Sequence, residues 1–532
     1  MEHSFEIVLL DLLVAVVGLL LLASWTRVPY PILLVLGGLG IGFVPGVPTV
    51  ELEPDLVLLI FLPPLLYSAA FFSSLRDLRA NVRPISLLAI GLVLATTLSV
   101  AAVAHVVVDG LSWPAAFVLG AILSPTDPVA ATAIAGRLGV PRRIVTIVEG
   151  ESLINDGTAL VVYRFSVAAV LSGSFSLWQA GLQFLLSAIG GVAVGLVAGV
   201  VVAAVRRRLD NPLVEITISL VTAYLAYLPA EALGVSGVLA AVTVGIFLGW
   251  RATELTIPST RIRAYSMWEI LVFLLNSTLF VLIGLQLRPL VERLSGEPYQ
   301  RLAVYALAVV LTVIVTRMVW MFAFTYGPRR LSRRLRERDP DPPWQLTFTL
   351  GWTGMRGAVS LAAALALPQT LGTGEPFPAR DLIVFLTFSV ILVTLVVQGL
   401  TLPPLIRALR LEHDDSDERE ELEARRQSAE AALDRIDELV KEDWVREGTA
   451  ERLRGLYDYR RRRYAARAGE SDGDADPIDY EERTAAFSRL RTELLRAERE
   501  ALLRLRNERR ISDIVLRRIE RDLDLEESRL ES

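Results

Sequence analysis

Glu149-Gly-Glu-Ser-Leu-Ile-Asn-Asp-Gly157 sets three carboxylates, a serine and an asparagine inside an apolar run that extends from Ile144 to Val170. In water this would be an ordinary loop or helix start. Within a membrane-spanning length, an ionisable group at bilayer depth costs at least ~2.5–3.5 kcal/mol, and groups retained there mark a substrate or ion path. The surrounding sequence is organised around Asp156.

The chain has 532 residues, 53% of them hydrophobic, and a positive mean hydropathy. Apolar runs of ~20 residues, the length demanded by a hydrocarbon core ~30 Å thick, recur thirteen times along it. They fall at roughly 6–25, 28–45, 54–73, 84–108, 113–136, 144–171, 178–205, 212–231, 234–250, 266–287, 301–326, 345–369 and 381–409. The class is an all-α polytopic membrane protein with about thirteen transmembrane helices. No short repeat period points to a solenoid. Ile7–Trp25 reads as a retained first span, since MEHSFE offers neither a basic n-region nor a small-residue cleavage site. The absence of cysteine excludes disulfides and thiolate metal sites. Lys441 is the sole lysine, so the arginine richness reflects codon bias and implies no nucleic-acid partner.

With the N-terminus outside, the inner loops collect Arg27, Arg76, Arg79, Arg83, Arg137, Arg142, Arg143, Arg206 to Arg208, Arg251, Arg261, Arg263 and six arginines from Arg329 to Arg338. The outer loops hold only Arg288, Arg293, Arg301 and Arg380. Basic residues concentrate on the cytoplasmic side, which puts the C-terminal tail there too. Residues 1–411 then form the membrane domain and 412–532 a charged, helical cytoplasmic tail. Within the tail, Glu418–Trp444, Ala450–Ala466, Tyr480–Asn507 and Ile511–Glu531 read as helices, with a linker at Gly469–Pro477. This tail is a solvated appendage or coiled-coil contact, or else a regulatory module.

Two spans are interrupted. Ser124-Pro-Thr-Asp-Pro-Val129 breaks the fifth, because Pro125 and Pro128 lack N–H donors and clash with the preceding turn. Gly351-Trp-Thr-Gly-Met-Arg-Gly357 weakens the twelfth. With the seventh span as a linker, spans one to six and eight to thirteen make two inverted six-helix repeats, and each broken span is the fifth of its set. Interrupted helices at matching repeat positions point to a midplane transport site.

At 1.5 Å per residue, Asp156 lies about 18 Å into the sixth span, and Arg356 reaches a similar depth in the twelfth. Asp127 and Arg317 lie mid-span in the fifth and eleventh. Ser152 and Asp156 share one helix face, and Glu151 and Asn155 share another. Pairing of Glu151 with Arg356 would leave Asp156 without a cation; burial disfavours its charged form, so it would trade a proton or a small cation. Thr126, Ser152 and carbonyls freed by the break offer hard oxygens for an alkali ion. Arg317 and Arg356 also fit a structural role, stabilising the broken helices and pairing with carboxylates, and Asp127 fits the N-terminal cap of a half-helix. Asp11, Asp109, Glu215, Glu231, Glu269 and Arg164 fall near span ends and reach the interface, as does His105.

Phe61-Leu-Pro-Pro-Leu-Leu-Tyr67, Pro125-Thr-Asp-Pro-Val-Ala130, Gly150-Glu-Ser-Leu-Ile-Asn-Asp-Gly157 and Gly354-Met-Arg-Gly-Ala358 together resemble the sodium/proton antiporters of the monovalent cation:proton antiporter-1 family. The resemblance implies a homodimer with dimerisation and mobile core subdomains, crossed broken helices and elevator-type alternating access. It assigns Asp156 as the ion-binding carboxylate, with Thr126, Glu151 and Ser152 around it, and pairs Arg356 with Glu151. Asn155 ahead of Asp156 resembles the electroneutral branch.

The expected activity is therefore one-for-one exchange of Na+, and also Li+, for H+ in a bacterial inner membrane, with Na+ held by Asp156, Ser152 and Thr126. It is transport without enzymatic chemistry or a cofactor. Exchange of K+ on the same machinery is the nearest alternative. An intramembrane aspartyl protease built on Asp127 and Asp156, or a channel, would be a different class. Cation preference, pH set point, flux direction and the sign of any tail effect are not written in the sequence.

Overall fold

Lipid offers the backbone no hydrogen-bond partners, so a chain of apolar runs satisfies itself as helices. The computed structural model describes residues 2–26, 28–45, 54–138, 140–172, 177–294, 296–331, 333, 337, 341–371, 374–410, 416–468 and 477–531. Eight stretches among them are helical, long and apolar enough to cross a membrane, and four shorter apolar helices accompany them. The chain is an all-helical, multi-pass membrane protein, in keeping with its hydropathy. Arg27, Arg334, Arg336, Arg338, most of the tail linker and the boundary at 411/412 lie outside the described residues.

The chain divides into two compact units, Met1–His413 and Asp414–Ser532. The first begins with α1 (Glu2–Trp25), α2 (Tyr30–Gly42) and α3 (Pro54–Phe72). Then come α4 (Val82–Val107), α5 (Trp113–Leu123), α6 (Pro128–Leu138) and α7 (Arg142–Ser172). They are followed by α8 (Leu177–Arg206), α9 (Pro212–Ala232), α10 (Gly237–Trp250) and α11 (Pro258–Leu285). The unit closes with α12 (Tyr299–Leu331), α13 (Trp344–Trp352), α14 (Ala358–Leu365) and α15 (Arg380–Leu409). Two π-helical turns interrupt α4 at Leu87–Leu92 and α15 at Thr394–Gln398.

Close backbone approach holds α2 to α11. A Cβ at Gly38 would stand 2.3 Å from the Val281 carbonyl oxygen, and one at Gly284 would stand 2.3 Å from that of Val35. Small residues permit such contact where no hydrophobic drive separates helix from lipid. The fifth span breaks between α5 and α6, where Pro125 and Pro128 withdraw two donors, and the twelfth between α13 and α14. The two extended segments lie against each other, with the Asp127 N–H donating to the Met355 carbonyl at 2.8 Å.

Ion pairs mark the two ends of the bundle. Arg142 meets Asp77 at 2.6 Å on the arginine-rich end, while Arg301–Asp109 (3.8 Å) and Arg293–Asp381 (3.9 Å) lie at the other. His105 stacks on Trp113 there, and its Nδ1 meets the Leu111 carbonyl at 2.7 Å. Glu231 bonds Arg164 at 2.5 Å. Glu215 departs from its expected interfacial place: it is 1% exposed, 3.8 Å from an equally buried Arg206. The short turn between α8 and α9 folds the two charges together. One helical turn along α9, Ser219 accepts a 2.9 Å bond from Trp268 of α11 and meets Tyr67 of α3 at 3.4 Å.

The second unit holds α16 (Ser416–Leu439), α17 (Glu447–Arg467), α18 (Pro477–Asn507) and α19 (Asp513–Glu531). α16 and α17 run antiparallel, joined by Arg454–Asp437 and by Arg425 over the Tyr464 ring. Hydrogen bonds from Arg426 and Gln427 hold Glu423 below its ordinary carboxylate range. Arg499 bridges from α18 to Asp524 (2.6 Å) and Glu527 (2.5 Å) of α19. The buried apolar set here is sparse, with Leu422, Ala429, Leu495, Leu516 and Leu523 prominent.

Candidate ion-binding site

The stretch Glu149–Gly157 is unbroken helix within α7. Its four-residue spacings therefore project two pairs of side chains in different directions. One pair turns toward the break in the fifth span: Thr126 Oγ1 donates to Glu151 Oε1 at 2.9 Å, and Asn155 Nδ2 donates to Thr126 Oγ1 at 2.9 Å. The other pair, Ser152 and Asp156, lines a cavity of about 710 Å³ together with Thr126 and Asp127.

Glu151 is expected to pair with Arg356, but its partner is Arg317. Arg317 of α12 grips the carboxylate with both ends of its fork, Nη1 to Oε1 at 2.5 Å and Nη2 to Oε2 at 2.9 Å. Nη2 also donates to the Leu350 carbonyl at 3.1 Å. Gly354 makes this approach possible, because a Cβ there would stand 2.2 Å from Arg317 Cδ. Arg356 turns the other way. Its Nε donates to the Leu123 carbonyl at 3.2 Å, and its Nη1 donates to the Gly354 carbonyl. Those carbonyls lie at the C-terminal ends of α5 and α13, where a helix dipole is negative and a cation is favoured. Arg356 Nη2 has no hydrogen-bond partner among the described residues.

Asp127 does the converse. Its Oδ1 accepts from the Val129 N–H at 2.9 Å, capping α6. Its other oxygen fills the space a Cβ of Gly357 would need, 1.7 Å away, beside the start of α14. The crossing thus sets an acid at two helix N-termini and an arginine near two C-termini. A protease dyad would need Asp127 and Asp156 to share one water; Asp127 is instead engaged with the α6 backbone.

Asp156 differs from all of these. It is 5% exposed, and no hydrogen bond or ion pair joins it to another described residue. Asn155 keeps one buried amide oxygen unpartnered among the described residues. The cavity beside Asp156 extends toward the arginine-rich end, where Glu149, Phe72, Tyr265 and Glu269 line it. Ser68 of α3 and Asn276 of α11 add polar groups to walls that are otherwise apolar. These two were not singled out from sequence, since an isolated polar residue in an apolar helix carries no local signal. That Arg317 meets a carboxylate is expected from its mid-span charge, but its choice of Glu151 carries no local sequence signal.

Comparison with known proteins adds an independent line. Residues 12–408 match the family described as "Sodium/hydrogen exchanger, transmembrane". An uncharacterized Na+/H+ exchanger of Mycobacterium tuberculosis is 39% identical over 528 residues, covering 98% of this chain and 96% of that one. A sodium, potassium, lithium and rubidium/H+ antiporter of Bacillus pumilus is 34% identical over 388 residues, 71% of this chain and 58% of that one. In fold, the chain resembles the sodium proton antiporter MjNhaP1 of Methanocaldococcus jannaschii, with a TM-score of 0.59 at 20% identity, covering 77% of this chain and 100% of that one. On the family match and the Mycobacterium relative, the chain belongs to the sodium/hydrogen exchanger family of monovalent cation:proton antiporters.

Proposed function

We propose that this protein exchanges Na+, and also Li+, for H+ one-for-one across a bacterial inner membrane, with Asp156 as the shared site. The observation that carries this reading is that Asp156 is buried, lines the cavity and has no hydrogen bond or ion pair with a described residue, while Glu151 is held by Arg317. A carboxylate in that position binds a proton or a desolvated cation, and each excludes the other. Asp156, Ser152 and Thr126 supply oxygen ligands to Na+, with Glu151 and Asn155 fixing Thr126. Asp127, Arg356 and Arg317 hold the interrupted helices in register.

In this reading the membrane unit comprises thirteen helices in two inverted repeats, the broken pairs α5/α6 and α13/α14 cross, and the chain works as a homodimer. The N-terminus lies outside and the tail lies in the cytoplasm, where it modulates transport. The cavity toward the arginine-rich end corresponds to an inward-facing state, and an elevator-type movement of the core exposes Asp156 to the other side. No cofactor takes part. Exchange of K+ is the second reading, favoured by the Bacillus relative whose name includes potassium.

Purified protein in sealed vesicles tests both. Na+ and Li+ additions should dissipate a proton gradient, and Asp156→Asn should abolish the response; retained exchange in the variant rejects Asp156. A response to K+ equal to that for Na+ selects the second reading. An imposed membrane potential should leave the rate unchanged, and a potential-generating flux rejects one-for-one stoichiometry.

A further inference from the structure

The cavity beside Asp156 has walls of different origin. α7 contributes Glu149, Ser152, Leu153 and Asp156, and α3 and α11 together make another wall. On α11 the lining runs through Trp268, Val272, Asn276 and Leu279, which is the spacing of a single helix face.

Ring contacts set the depth along that wall. Phe72 and Tyr265 meet at 5.2 Å at the mouth, and Tyr67 and Trp268 meet at 5.3 Å further in. α11 therefore runs inward from the mouth, antiparallel to α3. Asn276 follows Tyr265 by eleven residues, a rise of ~16 Å. α7 enters in the same sense. Gly150 abuts Leu78, just past the mouth end of α3, whereas Gly157 abuts Val238 and Leu239 at the start of α10. Further along α10, Gly245 and Gly249 lie against Tyr67 and Phe71, back toward the mouth. Asp156 and Asn276 thus belong to the same deep end of the cavity.

Asn276 is 6% exposed, and no hydrogen bond joins it to another described residue. A polar residue in a membrane helix ordinarily bonds to a neighbouring helix, as Trp268 does by donating to Ser219 at 2.9 Å. Ser68, on the same wall, already donates to the Leu65 carbonyl at 3.0 Å. The close approach of Gly38 and Gly284 fixes α11 to α2, so the wall is not free to shift and supply a partner. A buried amide left without one is costly.

We propose that Asn276 is a specificity-determining residue, its Oδ1 completing the oxygen shell of the cation held at Asp156. The proposal rests on the reading of Asp156 as the ion site. Side-chain amide carbonyls are hard oxygen ligands of the kind that replace a cation's water. Being neutral, the amide strengthens cation binding and leaves the charge balance of one-for-one exchange untouched.

The full chain in sealed vesicles, with the cation that the wild type exchanges, provides the test. Asn276→Leu keeps the volume and removes both polar atoms. It should raise the apparent KM for that cation at least ten-fold while the maximal rate stays within about three-fold, the pattern of a lost binding contact. Its melting temperature should not fall. Asn276→Asp, which returns an oxygen to the same place, should recover cation affinity. Ser277→Ala, at a neighbouring buried hydroxyl that does not line the cavity, should leave KM unchanged. If Asn276→Leu does not fold, Asn276→Ala gives the same readout. A wild-type KM in the Leu or Ala variant, or an Asp variant as weak as Leu, would overturn the proposal. Asp156→Asn, assayed alongside, separates the two readings. Retained exchange there rejects Asp156 as the site and this proposal with it, whereas lost exchange there with a wild-type KM in Asn276→Leu rejects Asn276 alone.

Discussion

Glu151 receives two N–H bonds from Arg317 and a hydroxyl from Thr126, whereas Asp156, five residues along the same helix, lines a cavity without a bonding partner among the described residues. The same mutation should therefore act in opposite ways at the two positions. Removing one member of a buried ion pair strands the other and costs about 3–5 kcal/mol. Glu151→Gln and Arg317→Gln should each lower the melting temperature markedly, and the double variant should recover much of the loss. Asp156→Asn should melt at or above the wild-type temperature while losing transport. Thermal melts in detergent decide this, and a double variant no better than the worse single one rejects the pair. Depth was legible in the sequence because it needs only the 1.5 Å rise. The pairing was not, because Arg317 and Arg356 share a depth and differ only in direction.

At the scale of elements, the interruptions could be read directly. Pro125, Pro128, Gly354 and Gly357 remove donors or loosen the backbone wherever they stand, so α5/α6 and α13/α14 separate where those residues fall. The π-helical turns could not, since Leu-Leu-Ala-Ile-Gly-Leu is as apolar and helix-compatible as its flanks. The burial of Glu215 escaped for a similar reason: a charge one turn from a helix end looks interfacial until the turn between α8 and α9 brings an equally buried Arg206 beside it. Gly357→Ala should be costly out of proportion to one methyl, because Asp127 Oδ2 occupies that space. The expected result is exchange slowed at least ten-fold in vesicles, with the protein still folded by its melting curve. An unimpaired rate would mean that Asp127 moves aside freely. Gly38→Leu should instead lower stability, since a side chain there meets the α11 backbone at Val281.

For the whole molecule, the membrane class was evident from the length and recurrence of apolar runs, and the tail from its change in composition. How the tail influences transport is a separate matter, because charged helices bury little and their sequences advertise no ligand. The membrane unit, Met1–His413, contains the cavity and every residue proposed to hold the ion. A chain truncated after His413 should therefore still exchange Na+ for H+ in vesicles, with any tail effect appearing as a displaced pH profile. Complete loss of exchange in a correctly folded truncation would make the tail part of the transport machinery.

The balance of charge at the crossing bears on leakage. Asp127 with Arg356, and Glu151 with Arg317, contribute two negative and two positive charges, so a body carrying all four through the membrane field does no net electrical work on them. Only Asp156 and its cargo remain. In the proposed function that site is neutral when loaded with a proton or with Na+; empty, it would carry a bare carboxylate past hydrocarbon, at a cost of at least ~2.5–3.5 kcal/mol. Such a penalty slows the empty crossing roughly hundredfold. In the proposed cycle slippage is then suppressed by electrostatics alone, without a separate gate, and uncoupled flux should stay near one per cent of exchange.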